Sequence, residues 1–224
     1  MKKVNKFKIA ALTLVVCIAS VSCNESTTSS KNQADNHTSK EGESTCTPDA
    51  GLTAGAKALF ACIKTNLSVG DRNNIFESTG FHAINDKVLY MKEDMEMLTG
   101  TEEDQSLELG ISIYCYDMNK DGSDEVLIQY GNSLYGGSAG NPSLLYTKSK
   151  DGKMEICMDT YGMDMFILDT STKGWPDIVM GGGINHMGMF KWTGSKYKNS
   201  KQISQKQLDG MSLKRLSEVA TGSN

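Results

Sequence analysis

No apolar run at the start of this chain is long enough to cross a bilayer. Ile9 to Val16 follows Lys2, Lys3, Lys6 and Lys8 and precedes small residues and Cys23, whereas a permanent span needs ~20 apolar residues. Basic, apolar and small-residue segments in that order read as a secretory signal over residues 1–22. An excess of positive charge is missing too. Without residues 1–22 the chain keeps 19 basic against 27 acidic side chains, net −8, which argues against nucleic acid as a partner. The cysteines lack C-x-x-C spacing, so they do not read as a metal cluster. Apolar residues are nearly absent from Asn24 through Thr45. Such a segment cannot offset the entropy of ordering and reads as a flexible tether over residues 23–45.

What is there begins with Ser20-Val21-Ser22-Cys23, which resembles a bacterial lipobox, with Ser20 where an aliphatic residue is usual. The resemblance implies lipidation at Cys23, a membrane anchor and an outer-membrane, cell-envelope location, periplasmic or surface-exposed. Residues 46–224 remain, one domain's worth of chain and enough to bury a core.

Cys46, Cys62, Cys115 and Cys157 are an even set in an exported chain, which favours disulfides. Thr47, Pro48 and the series Leu52, Ala56, Leu59, Phe60, Ile63 predict one amphipathic helix to about Thr65. Unless Gly51 or Gly55 breaks it, that helix holds Cys46 and Cys62 roughly 24 Å apart, beyond the ~7 Å limit for a bridge. Each is then left to pair with Cys115 or Cys157. Asp71 reads as the cap of a second helix ending at Gly80. Short strand-like runs follow: Val88 to Met91, Leu107 to Tyr116, Glu125 to Tyr130, Ser143 to Tyr146, Met154 to Met158, Met165 to Asp169, Asp177 to Met180 and Met187 to Trp192. Asp151-Gly152 and Thr193-Gly194 are hairpin signals, and Leu213, Leu216 and Val219 predict a short C-terminal helix. The expected class is α+β, a mainly antiparallel β domain with N-terminal helices and a short C-terminal helix.

Asp117, Asn119, Asp121, Ser123 (through its carbonyl) and Glu125, with Gly122 at the turn, place oxygen donors at alternate positions, as a calcium loop requires. Glu125 stands at position nine, so a strand follows where an EF-hand has a helix. Tyr116 to Leu127 looks like the calcium-loop unit of FG-GAP or VCBS-type repeats, with Lys120 at the family's first Gly. Asp169 to Asp177, running on to Trp192-Thr193-Gly194-Ser195-Lys196-Tyr197, looks like a degenerate second unit. There Lys173 replaces the Asp121 equivalent, and its charge is expected to pair with Asp169 and Asp177 in place of an ion. The resemblance covers residues 107 to 198 and is shared with small exported bacterial proteins, many of them lipoproteins. Two units do not imply a closed propeller.

Other constellations are weaker. Gly136-Gly137-Ser138-Ala139-Gly140 matches a nucleophile elbow, with Asp164 or Asp177 and His186 as triad partners. An elbow needs a helix directly after the serine, and here Asn141-Pro142 and a strand-like run follow. Met163, Met165, Met180, Met187, Met189 and His186 offer soft ligands for copper(I) or, more ordinarily, fill a core. Glu93, Asp94, Glu96 and Glu102, Glu103, Asp104 read as solvated acidic faces, or as a docking surface for a basic partner. The Gly131–Asn141 loop, with Tyr135 and Ser138, has the composition of an adaptable contact surface. The functional expectation is a non-enzymatic envelope lipoprotein with a calcium-stabilised binding domain for a protein or polysaccharide, an inhibitor or immunity-type protein being one version. A Met/His copper-binding protein and a Ser138 hydrolase are the alternatives.

Overall fold

The computed structural model describes residues 49–84, 87–97, 107–181 and 187–221. The chain divides into Met1–Glu43, which lies outside those residues, and Ser44–Asn224. Cys23, Cys46, His186 and the Glu102, Glu103, Asp104 cluster also lie outside them.

The domain is α+β with mostly antiparallel sheet. It begins with α1 (Ala54–Phe60) and α2 (Val69–Ser78). A hairpin of β1 (Phe81–Ile84) and β2 (Val88–Met91) follows, then a 3-10 helix, Lys92–Met97. β3 (Gly110–Tyr116), β4 (Glu125–Gly131), β5 (Asn141–Lys148) and β6 (Met154–Gly162) form a four-stranded meander in chain order. β7 (Asp164–Thr172), β8 (Trp175–Gly181), β9 (Met187–Trp192) and β10 (Tyr197–Ile203) form a second. After the single turn α3 (Gln205–Leu208), β11 (Leu213–Arg215) pairs with the free edge of β7, and the turn α4 (Leu216–Val219) follows.

Alternation sorts the side chains into layers. Ile113, Cys115, Val126, Ile128, Leu144 and Tyr146 face α1, α2 and the β1–β2 hairpin. Leu127, Leu145, Cys157 and Met158 face the second sheet, meeting Met165, Ile178, Met180 and Trp192. The outer face of that sheet, to which Leu168, Val179, Met189 and Leu213 belong, is covered by Leu208 and Met211. The first sheet therefore has both faces buried, which is why β4 and β5 read as near-continuous apolar runs.

Several expectations are corrected here. The first helix is seven residues long: it starts only after its Thr53 cap, since Gly51 takes φ +92°, and it ends at Phe60, short of Thr65. The helical-distance argument against a Cys46–Cys62 bridge therefore falls. The second helix is capped by Ser68, with Asp71 as the reciprocal partner of a capping box. Leu213 stands in a strand. Cys62, Cys115 and Cys157 are free thiols. Cys115 and Cys157 lie on opposite faces of the sheet and on its two outermost strands, so they do not reach one another. Met165 and Met180 fill the inter-sheet core, Met187 and Met189 the outer face, and Met163 is 65 % exposed. The methionines thus do not converge on a copper site. Asp94 is buried, not part of a solvated face.

Gly55 sits where α1 meets α2, and a Cβ there would lie 1.9 Å from the Phe76 ring. Helix propensity alone favours Ala by about 1 kcal/mol. The overlap outweighs it, and Gly55→Ala is expected to lower stability by about 1–3 kcal/mol, read from the urea midpoint.

Candidate metal centre

Tyr116 pairs with Glu125, and the eight residues between them form an open loop. Asp117 and Asp121 are turned onto the loop's own backbone. Asp121 N–H donates to Asp117 Oδ1 at 3.1 Å and to Asn119 Oδ1 at 2.8 Å, and Gly122 N–H donates to Asp117 Oδ2 at 2.9 Å. Ser123 N–H donates to Asp121 Oδ1 at 2.9 Å. Lys120 and Gly122 adopt φ +63° and +91°, so the lysine takes the left-handed turn that the resemblance assigns to glycine. Among the described residues, no three His, Cys, Asp or Glu side chains are arranged to hold a metal ion.

Asp124 faces away from the loop interior. Its Oδ2 accepts from Thr65 Oγ1 at 2.7 Å and Asn66 N–H at 2.9 Å, and its N–H donates to Asn66 Oδ1 at 2.8 Å. Asn66 Nδ2 also donates to the Gly122 carbonyl at 2.9 Å. Four hydrogen bonds thus dock the loop onto the α1–α2 connection, a contact the loop motif gave no sign of.

Glu125 is 2 % exposed. Its carboxylate accepts from Met118 N–H at 2.8 Å and from Thr147 Oγ1 at 3.1 Å, and Asn119 Nδ2 lies 3.4 Å away. Burial pushes this carboxyl up to about 7. The hydrogen bonds from Met118 and Thr147 oppose the rise, and the charges of Asp121 and Asp117 add to it.

The second meander supplies an internal comparison. Cys115 pairs with Val126 and Val126 with Tyr146; at the same frame Ile167 pairs with Ile178 and Ile178 with Phe190. Asp177 is therefore the counterpart of Glu125, and Lys191 that of Thr147. Asp177 is likewise buried, accepting from Thr170 Oγ1 at 2.9 Å and Thr172 Oγ1 at 2.6 Å, with Lys191 Nζ at 3.6 Å. The ammonium beside the second carboxylate belongs to Lys191, which corrects the expectation for Lys173. Lys173 instead takes φ +54° in a tight turn and donates to the Thr193 carbonyl at 2.6 Å. Asp169 accepts from Ser212 Oγ. The second loop is also zipped shut, since Ser171 pairs with Pro176 and Thr172 with Trp175.

In chemistry, the first loop offers hard oxygen donors only, and among the described residues no cationic side chain pairs with Glu125. That donor set fits a calcium ion better than a softer metal. Asp117, Asn119, Asp121 and Glu125 are the side chains that would hold one.

The remaining candidates separate. Tyr135 is half-buried, its Oη 2.7 Å from Glu93 Oε1 and 3.1 Å from Asp94 Oδ1, so it is tied down and not free for contact. Ser138 is exposed on a turn closed by Gly140 N–H to the Gly137 carbonyl, and strand β5 follows it directly. The strand-to-helix elbow is absent. Of the candidate acids, Asp177 is engaged as above and Asp164 lies 3.8 Å from Arg215.

Comparison with protein-family models, curated proteins and solved structures finds no match to this chain.

Two expectations follow. The folded state holds the Glu125 proton up to about pH 7, whereas the unfolded chain releases it near the ordinary carboxylate value. The native state therefore binds more protons across that window, and stability in chelator falls as pH rises through it. The loss is on the order of 3 kcal/mol, and urea midpoints across the window for wild type and Glu125→Gln should show the slope only in the former. Lys120→Gly, which relieves the left-handed backbone, is expected to change stability by between zero and about +1 kcal/mol. A clear loss would mean that the lysine side chain itself matters.

Proposed function

We propose that this chain is a cell-envelope lipoprotein, anchored through Cys23, whose β domain takes a calcium ion in the Asp117–Glu125 loop. The domain acts as a binding module for a protein or an envelope polymer. The observation that carries the metal reading is the contrast between two equivalent buried carboxylates. Asp177 has the Lys191 ammonium at 3.6 Å; Glu125, with Asp117 and Asp121 beside it, has Thr147 in that place. An external cation supplies the missing charge. Two meanders with a loop at the same frame also support the likeness to FG-GAP or VCBS-type units.

Calcium would draw the loop carboxylates together and so stiffen a segment that joins the sheet to the helical layer through Asp124 and Asn66. Binding is favoured over catalysis by the placement of Ser138 before a strand. Among the described residues the large exposed apolar side chains are Leu134, Tyr161 and Met163. The latter two flank Gly162, which pairs with Asn141 at the end of the Gly131–Asn141 loop. Among the described residues no helix is long and apolar enough to cross a membrane, and attachment rests on the lipid.

Thermal unfolding of the full-length protein in chelator and in a calcium series tests the metal. Calcium at ~100 times Kd should add about 2.7 kcal/mol, roughly 5–10 °C for a domain of this size. Asp121→Ala should abolish the shift. No calcium-dependent shift at millimolar concentration would reduce the loop to a self-bonded turn.

A further inference from the structure

The two ends of the sheets differ. At one end lie the Gly131–Asn141 loop and Gly162. At the other lie the candidate calcium loop and the Ser149–Lys153 turn of the first unit, with the Lys173-Gly174 and Thr193–Lys196 turns of the second. Between the tips at this second end is a cleft of about 430 Å³, walled by Thr147, Lys150, Asp151 and Glu155 from one unit and Trp175 and Ser195 from the other.

Trp192 and Tyr197 belong to the inter-sheet core. Trp175 packs against that core from its edge. It follows the Lys173-Gly174 turn directly, at a hairpin tip where small and polar residues are usual, and it is only half-buried. Its ring stacks on Trp192 at 4.2 Å and 19°, with Tyr197 edge-on to both at 6.3 and 5.2 Å. The indole is therefore held in place before any ligand arrives, which lowers the entropy lost on binding. The corresponding position in the first unit is Ser123, in the candidate metal loop. At one frame the two units thus carry different chemistry, oxygen donors in the first and an aromatic surface in the second.

We propose that this cleft is a carbohydrate-binding site, taking a pyranose ring against the indole pair with its hydroxyls bonded to Glu155, Asp151 and Ser195. A sugar ring presents apolar C–H groups on its face and hydroxyls around its edge. The cleft matches that division, with an aromatic surface on one side and polar groups on the other. Lysine and carboxylate side chains both stand on its walls, so no single sign of charge is selected. Its volume suits a small ligand or a short stretch of a chain, whereas a protein partner needs ~800 Å² on each side. The inference rests on the reading of the chain as an envelope binding module and names the polymer. Thr147 lines the cleft and also donates to Glu125, so one residue joins the cleft to the loop.

The test is titration of the full-length protein with chitotetraose, cellotetraose and maltotetraose, followed by tryptophan fluorescence and calorimetry, in calcium and in chelator. Saturable binding of at least one is expected, weakened about tenfold or more by Trp175→Ala and in part restored by Trp175→Phe. Glu155→Ala, on an exposed strand position, should weaken binding while leaving the unfolding midpoint unchanged, and it decides the matter if Trp175→Ala does not fold. The proposal is overturned if none of the three sugars binds at millimolar concentration, or if both variants bind like wild type. Sugar binding with no calcium shift in unfolding sinks the metal alone; a calcium shift without sugar binding sinks the cleft alone.

Discussion

A carboxylate at the first residue of a strand buried on both faces is the constraint around which this domain is arranged. Glu125 enters the sheet with the α1–α2 layer on one side and the second meander on the other. A charge there must be hydrogen-bonded, protonated or matched by a cation. The backbone of Met118 and the hydroxyl of Thr147 meet the first need, and the high proton affinity of the group reflects how incompletely they do so. Its neighbour Asp124 points outward and fastens the helices. Two consecutive acids thus serve two layers, one inside the loop and one outside it.

The second meander shows what the same frame becomes when the charge is answered from within. With Lys191 and two threonine hydroxyls on Asp177, the residues of the second loop close into a strand ladder as far as the Lys173-Gly174 turn. The zipped hairpin then carries Trp175 at its tip, packed on Trp192. A hydroxyl stands beside the carboxylate of the open polar loop, and an ammonium beside that of the closed aromatic hairpin.

Much of this was legible in the chain, and the failures have physical causes. β2 and β9 fall on the residues that alternation and turn chemistry predict, and the other central strands lie within a few residues of them. β1, β10 and β11 were missed because edge and hairpin strands carry mixed patterns: Tyr197–Ile203 is buried only at its two ends. The first helix was over-extended because its apolar spacing continues across Gly51, and only the backbone shows that the glycine breaks it. The frame of the two loops was readable, but the partner of the second carboxylate was not. Lys191 lies two strands from Asp169 in the chain's order, and only the cross-strand register brings it beside Asp177. Tyr135 looked like a free aromatic because nothing in its own loop announces Glu93 and Asp94.

Stacked repeats ordinarily grow by adding units, each burying the face its predecessor leaves open. Among the described residues each outer apolar face carries a cover. The helices and the β1–β2 hairpin cover one, Leu208 and Met211 cover the other, and β11 occupies the spare edge of β7. A further meander would find little apolar surface to settle on beside these flanking segments, which leaves a stack of two. Lengthening it would first require evolution to strip away a lid at one side.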